Sequence, residues 1–355
     1  MTISRRALLG ATGSLLGAAT LTGRARATPA HEGALNLIAL SHNWAFEPLM
    51  TSFSARYGIT IDDANSEGSS AEELQAVRSL RHAGRAPDCM DLSPAFAVLG
   101  TKEKLLAPYK VPTWADIPAD ARDPEGHWVG DYFGIISFAV NRRVVTTVPR
   151  TWRDLLKPDY RGMVAMDGSP LGSGDAFAAV MAASLASGGS VASIAPGVDF
   201  FARLARAGNL NPIAVTEPSL VSGQTPIVLR WDYLNLTSRD NAAKMAAIDV
   251  VVPEDAAPFG AFYAQAISAV APHPKAARLW QDFLYSDEGQ LGFLAQYAHP
   301  IRFAAMLANG VVPAAMLARL PSPKAYQSVR FASLAETDAA KKTLADLWPR
   351  EVKLG

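Results

Sequence analysis

Apolar and polar residues alternate in blocks along this chain of 355 residues. Short apolar runs bounded by Gly, Pro, Ser or Asp read as buried strands, and apolar residues spaced three and four apart read as helices. Leu35-Asn36-Leu37-Ile38-Ala39-Leu40 predicts a first strand ending at Ser41-His42-Asn43. Over 44–57, Phe46, Leu49, Met50 and Phe53 share one helical face. A second strand is predicted over 58–62. Ser69-Ser70-Ala71-Glu72-Glu73 then opens a helix with a good cap and early acids. A third strand is predicted over 88–92, and Pro94 starts the next helix. Strands alternating with helices predict an α/β architecture with a largely parallel sheet.

Two long apolar stretches, 132–140 and 260–270, interrupt this rhythm. Between them runs a second βα series: a strand at 162–166, helices at 176–185 and 191–207, and strands near 212–215, 226–229 and 248–252. After them come helices over 274–285 and 287–296, then an amphipathic helical tail over 313–352. The two long stretches predict two crossings between two lobes. One lobe is built from both ends of the chain, 28–137 with 264–355, and the other from the middle, 138–263. Such a pair leaves a cleft at its strand ends, where open α/β sheets bind ligands.

The amino terminus changes the picture of location. Ser4-Arg5-Arg6-Ala7-Leu8-Leu9 reads as a twin-arginine export motif, and Ala25-Arg26-Ala27 as a cleavage site. Residues 1–27 are therefore expected to be a signal peptide; the Gly-rich stretch between is too short to span a bilayer. Lys and Arg total 33, as do Asp and Glu, and the leader holds Arg5, Arg6, Arg24 and Arg26. Its removal leaves a mildly acidic protein, which excludes nucleic acid as a partner, since phosphate binding needs a clustered basic footprint. A single cysteine, Cys89, excludes an intrachain disulfide and reads as a small buried hydrophobe. No cysteine near the cleavage site offers a lipid attachment point, so a freely diffusing, monomeric periplasmic protein is expected.

Signatures of catalysis are scarce. The chain has no Gly-x-Ser-x-Gly elbow, no His-Glu-x-x-His, no Walker loop and no cysteine pair. Its six histidines show no metal-ligand spacing. No catalytic residue, metal ligand or cofactor site is read from the sequence.

Three segments carry a family resemblance. Val148-Pro149-Arg150-Thr151-Trp152-Arg153-Asp154-Leu155-Leu156-Lys157-Pro158-Asp159-Tyr160-Arg161-Gly162-Met163-Val164 is the first, and Pro272-His273-Pro274-Lys275-Ala276-Ala277-Arg278-Leu279-Trp280-Gln281-Asp282-Phe283-Leu284-Tyr285-Ser286-Asp287-Glu288-Gly289-Gln290 the second. The third is His299-Pro300-Ile301-Arg302. In this order and spacing they resemble the bacterial extracellular solute-binding proteins of ABC importers, in the branch that handles ferric ion, polyamines, thiamine, phosphonates and sugar phosphates. The resemblance implies a type II periplasmic-binding-protein-like fold: two α/β lobes on a two-strand hinge, closing over a small molecule that an inner-membrane ABC permease then receives.

Candidate ligand residues cluster where strands end. Ser41, His42 and Trp44 follow the first strand, either as a binding loop or as an ordinary capping loop. Ser69 and Ser70 offer hydroxyls and free N–H groups, or simply cap a helix. Asp91 and Ser93 end the third strand. Ser173 and Asp175 open a helix after a glycine-rich turn, Gly168-Ser169-Pro170-Leu171-Gly172-Ser173-Gly174. Arg230, Trp231, Asp232 and Tyr233 follow the 226–229 strand, and Tyr263 lies by the second crossing. Asp91, Asp175 and Asp232 beside Trp44, Trp231 and Tyr233 suit an ammonium on an alkyl stem, as in a polyamine or aminophosphonate. The alternative is a phosphorylated or carboxylated anion on Ser69, Ser70, Ser173 and Arg230. Ferric relatives show paired tyrosines where this chain has Tyr233 followed by Leu234, which argues against iron. An exported enzyme on the same fold, with His42 as base, is the rival class.

Overall fold

The computed structural model describes residues 35–38, 45–63, 69–80 and 85–353. The expected signal peptide, the loop bearing Ser41, His42 and Trp44, and Gly68 lie outside the described residues. Strand β1 (Leu35–Ile38) pairs in parallel with β2 (Ile61–Asp63) and β3 (Cys89–Leu92). Helices α1 (Glu47–Tyr57), α2 (Ser70–Leu80) and α3 (Pro94–Lys102) connect and follow these strands. Helix α1 ends at Gly58 with φ 68°, a left-handed conformation that favours glycine. A short strand β4 (Leu106–Ala107) precedes β5 (Val129–Asn141), whose thirteen residues are all buried.

β5 determines the architecture. Its first half pairs antiparallel with β9 (Gly260–Ser268), from Val129 opposite Gln265 to Ile135 opposite Gly260. Its second half, from Ile136, pairs antiparallel with β7 (Ile227–Trp231) and β8 (Ile248–Val251). One long strand thus belongs to two halves of the sheet, which is why its sequence is mostly apolar, with Asp131, Ser137 and Asn141 as buried polar exceptions. β6 (Val164–Met166) extends the second half in parallel with β7, giving the order β2-β1-β3-β9-β5-β7-β6. The register slips by one residue between Gly130 and Phe133, so Asp131 and Tyr132 sit in a β-bulge, a device that re-aims side chains.

Two cores flank this strand. Helix α1, α8 (Pro274–Leu284), α9 (Asp287–Ala295) and α10 (Phe303–Ala308) supply the first, with Phe46, Phe53, Trp280, Phe283, Phe293 and Phe303 interlocked. Burying this aromatic surface stabilises this half. Helices α4 (Gly174–Ala186), α5 (Ala195–Arg206) and α6 (Glu217–Ser222) build around the second half of the sheet. Its core holds Phe138, Trp152, Met181, Phe200 and Phe201. Helix α7 (Asp232–Ala242) leaves β7 directly, and β10 (His299–Pro300) pairs with β5.

The sheet expected to be largely parallel is mixed, because β5 and β9 run antiparallel to their neighbours. Three further departures from the sequence reading have physical causes. The strand expected near 212–215 does not form; Leu210 makes only a bridge to Val164, and Asn211 turns the chain through hydrogen bonds to the carbonyls of Gly162 and Gln224. The expected tail helix is broken into α11 (Ala314–Leu317) and α12 (Leu334–Glu351), with Ser333 and Glu336 forming a capping box at the new start. That last helix also sits elsewhere than expected: Ala340, Leu344 and Val352 pack into the second core, not the first.

Candidate functional site

Carboxylates and tyrosines converge at the junction of the two sheet halves. Asp91, near the end of β3, is 2% exposed, and Asp131 of the β5 bulge is fully enclosed. Helix α2 brings Glu73 to them; Glu73 Oε2 accepts the Asp91 N–H at 3.1 Å. Tyr132 packs beside Tyr263 with ring centroids 5.8 Å apart. Trp231 and Tyr233 stack at 6.4 Å and 14°. Gly134 permits this: a Cβ there would collide with the Tyr233 ring.

Electrostatics tie these groups into one neighbourhood. Burial, and then Asp91, Asp175, Asp131 and Glu73, push the Tyr263 hydroxyl up to about 12. Tyr263 therefore stands between acids of the first half and Asp175 of the second. Burial lifts Asp175 to about 6, against the Trp231 N–H that its Oδ1 accepts at 3.2 Å. Burial likewise raises Glu73 to about 9 and Asp131 to about 7, and holds Asp91 well above the carboxylate range. Desolvation disfavours each charged form, and an entering cation would restore it.

Other expected ligand residues are placed differently. Asp232 is fully buried and saturated: Oδ1 accepts the Ile135 N–H at 3.0 Å, while Oδ2 meets His299 Nε2 at 2.6 Å and the Tyr326 hydroxyl at 2.9 Å. It ties α7 to β5, β10 and the 325–327 turn, with both carboxylate oxygens engaged inside the protein. Arg230 is 8% exposed, with Nε on Asn235 at 2.7 Å and Nη2 on Ser238 at 2.6 Å. Its remaining charge faces Asp167 at 3.8 Å. An oxyanion there would compete with that carboxylate.

The hydroxyls of three of the four serines are occupied as caps and ties. The Ser69 hydroxyl donates to Glu72 at 2.8 Å, and the Ser70 oxygen accepts the Ser93 N–H at 3.0 Å. Ser173 accepts the Ala176 N–H and donates to the Asp167 carbonyl at 2.5 Å. Ser93 caps α3 through its backbone, its side chain making no cap bond. Cys89 is enclosed, and burial raises its thiol well above the usual range, as suits a packing residue. A groove of about 290 Å³ between 252–258 and 322–328 contains none of the converging residues.

The sequence reading missed Glu73, Asp131, Tyr132 and Gln265. The available signal was an acid and an amide inside otherwise apolar strands, Gly130-Asp131-Tyr132-Phe133 and Tyr263-Ala264-Gln265-Ala266. Glu73 looked like one more acid in a first turn.

Among the described residues, no group of three or more His, Cys, Asp or Glu is arranged to hold a metal ion, and no helix is long and apolar enough to cross a membrane. Residues 92–336 match the family model of bacterial extracellular solute-binding proteins. The chain belongs to that family. This solute-binding protein is accordingly a carrier of small molecules and not an enzyme. Its fold is shared with the spermidine/putrescine substrate-binding protein PotD of Streptococcus pneumoniae, at 16% identity and TM-score 0.69 over 90% of this chain and all of that one. AfuA of Actinobacillus pleuropneumoniae, solved with fructose 6-phosphate, matches at 18% identity and TM-score 0.63 over 90% and 99% of the two chains. Iron-bound HitA of Pseudomonas aeruginosa matches at 18% and 0.61 over 88% and 99%. The likeness shows the fold, an α/β two-lobed architecture with a two-strand hinge. No curated protein sequence matches the chain significantly.

Proposed function

We propose that this protein is the periplasmic substrate-binding component of an ABC importer and that it captures a small ammonium-bearing organic solute, of the polyamine or aminophosphonate type. One observation carries the choice of charge. The half-buried aromatic faces of Trp231, Tyr233 and Tyr263 lie among Asp91, Asp131 and Asp175, while the nearby cation, Arg230, is engaged by Asn235, Ser238 and Asp167. Carboxylates beside aromatic walls attract an ammonium by charge pairing and by the ring quadrupole together. One structural neighbour, PotD, is a spermidine/putrescine substrate-binding protein, which agrees with this chemistry.

Capture works by closure about β5 and β9, with a lobe around the first core meeting a lobe around residues 138–263. A monomer is expected to deliver its ligand to a membrane permease after export through the twin-arginine leader. Calorimetry with putrescine, spermidine and 2-aminoethylphosphonate, against fructose 6-phosphate and citrate, tests the reading. Binding of an amine and indifference to the pure anions is the expected result. Tight binding of an anion with none of an amine would overturn it.

A further inference from the structure

The acids of the first half hold more acceptors than donors. Asp91 and Asp131 are buried side by side, and the charge of Asp131 adds to burial in raising Asp91 above its usual range. Gln265 lies opposite Asp91 on one side and Val129 on the other, and its Nε2 donates to Asp131 Oδ2 at 3.4 Å. Three buried oxygens find no donor: Glu73 Oε1, Asp91 Oδ1 and Gln265 Oε1. Gln265 is the independent observation, because it is neutral and 1% exposed. A glutamine placed only to fill a core would have both ends of its amide satisfied. Its vacant carbonyl points instead to a missing donor.

An ammonium group carries three N–H donors and no acceptor. We propose that Glu73, Asp91, Asp131 and Gln265 form a buried subsite for a primary ammonium group, and that protons leave the cluster as the ammonium enters. The proposal rests on the reading of the ligand as an amine and adds where its nitrogen goes and what it displaces. The exchange balances without covalent chemistry: the ammonium keeps its protons, and each carboxyl proton it replaces passes to solvent.

The surroundings support the exchange. Among the described residues, none of the ion pairs engages Glu73, Asp91 or Asp131 with a Lys, Arg or His. The titratable groups acting on the cluster, among the described residues, are Asp63 of β2, Tyr132 of β5, Tyr263 of β9 and Tyr285 after α8, all acidic or neutral. Burial raises Glu73 to about 9, so that it holds a proton at neutral pH in the empty protein, and raises Asp91 above its usual range.

The test is calorimetry of the full mature chain with putrescine and with 2-aminoethylphosphonate at about pH 8, in phosphate and in HEPES, which carry no primary amine and whose ionisation enthalpies differ. At this pH Asp175, with its value of about 6, is already charged and releases nothing. Release of about one proton per amine bound is expected. Glu73→Gln and Asp91→Asn should each abolish that release and weaken binding about tenfold, whereas Asp175→Asn should weaken binding and leave the release intact. Amine binding with equal heats in both buffers would overturn the subsite while leaving the amine reading standing. Release that persists in both Glu73→Gln and Asp91→Asn would also overturn it. Failure of both amines to bind would overturn the two together.

Discussion

Two buried carboxylate sites lie against the long strand β5, and they are built on opposite plans. Around Asp232, three donors meet one carboxylate: a backbone N–H, an imidazole nitrogen and a phenol. Around Asp91, three carboxyls and an amide share too few donors, and three oxygens stay unmatched. Both sites are equally hidden from water. Burial alone therefore does not distinguish the two sites; the supply of donors to the carboxylate oxygens does.

The sharpest way to break this contrast is to remove each acid in turn. Asp232→Ala leaves His299, Tyr326 and the Ile135 N–H without their shared partner and is expected to cost about 3 kcal/mol in urea unfolding. Asp91→Asn relieves a crowded site and is expected to change the stability of the empty protein by less than about 1 kcal/mol. Equal losses in the two variants would erase the distinction.

The second test uses pH. Glu73, Asp131 and Asp175 have folded values of about 9, about 7 and about 6, each above the unfolded carboxylate range. A group raised in this way binds protons more tightly in the folded state. Its stabilising contribution is complete below about pH 4 and is lost as pH rises through those values. The thermal midpoint of the ligand-free protein should thus fall between about pH 5 and pH 9, and Glu73→Gln should flatten the upper part of the fall. A midpoint that climbs over that interval would sink the donor-poor description.

Smaller effects sharpen the picture on the other side of the hinge. Asp175→Asn should weaken an amine about tenfold, or 1.4 kcal/mol, in calorimetry. Arg230→Gln should change amine affinity less than about threefold, because its guanidinium is engaged by Asn235, Ser238 and Asp167. Loss of binding in Arg230→Gln, with Asp175→Asn unaffected, would mark the ligand as an anion.

Much of the fold was legible in the sequence because continuous apolar runs permit few alternatives. The stretch at 132–140 became β5 (Val129–Asn141), and 260–270 became β9 (Gly260–Ser268). The helices at 274–285 and 287–296 shifted by one residue, as α8 (Pro274–Leu284) and α9 (Asp287–Ala295). The tail was misplaced because helical periodicity reveals an apolar face and not its destination. Asp232 was misread for a similar reason. It ends a strand just as Asp91 nearly does, but its three donors come from 97, 67 and 94 positions away. No local pattern carries that information. Asp131 was within reach of sequence reasoning, since a lone acid in a buried strand needs a purpose.

The position of α12 sets an order of events in making the protein. Ala340, Leu344 and Trp348 cover apolar surface that includes Phe201 of the second core. The residues they cover are synthesised more than a hundred positions earlier. The middle segment emerging from the ribosome is therefore left with an unfinished apolar face until the last twenty or so residues are released. A fragment ending near residue 330 would keep every residue of the candidate site and still expose that face. Such a truncation is expected to yield aggregated material, with recovery on adding back a peptide spanning 332–353.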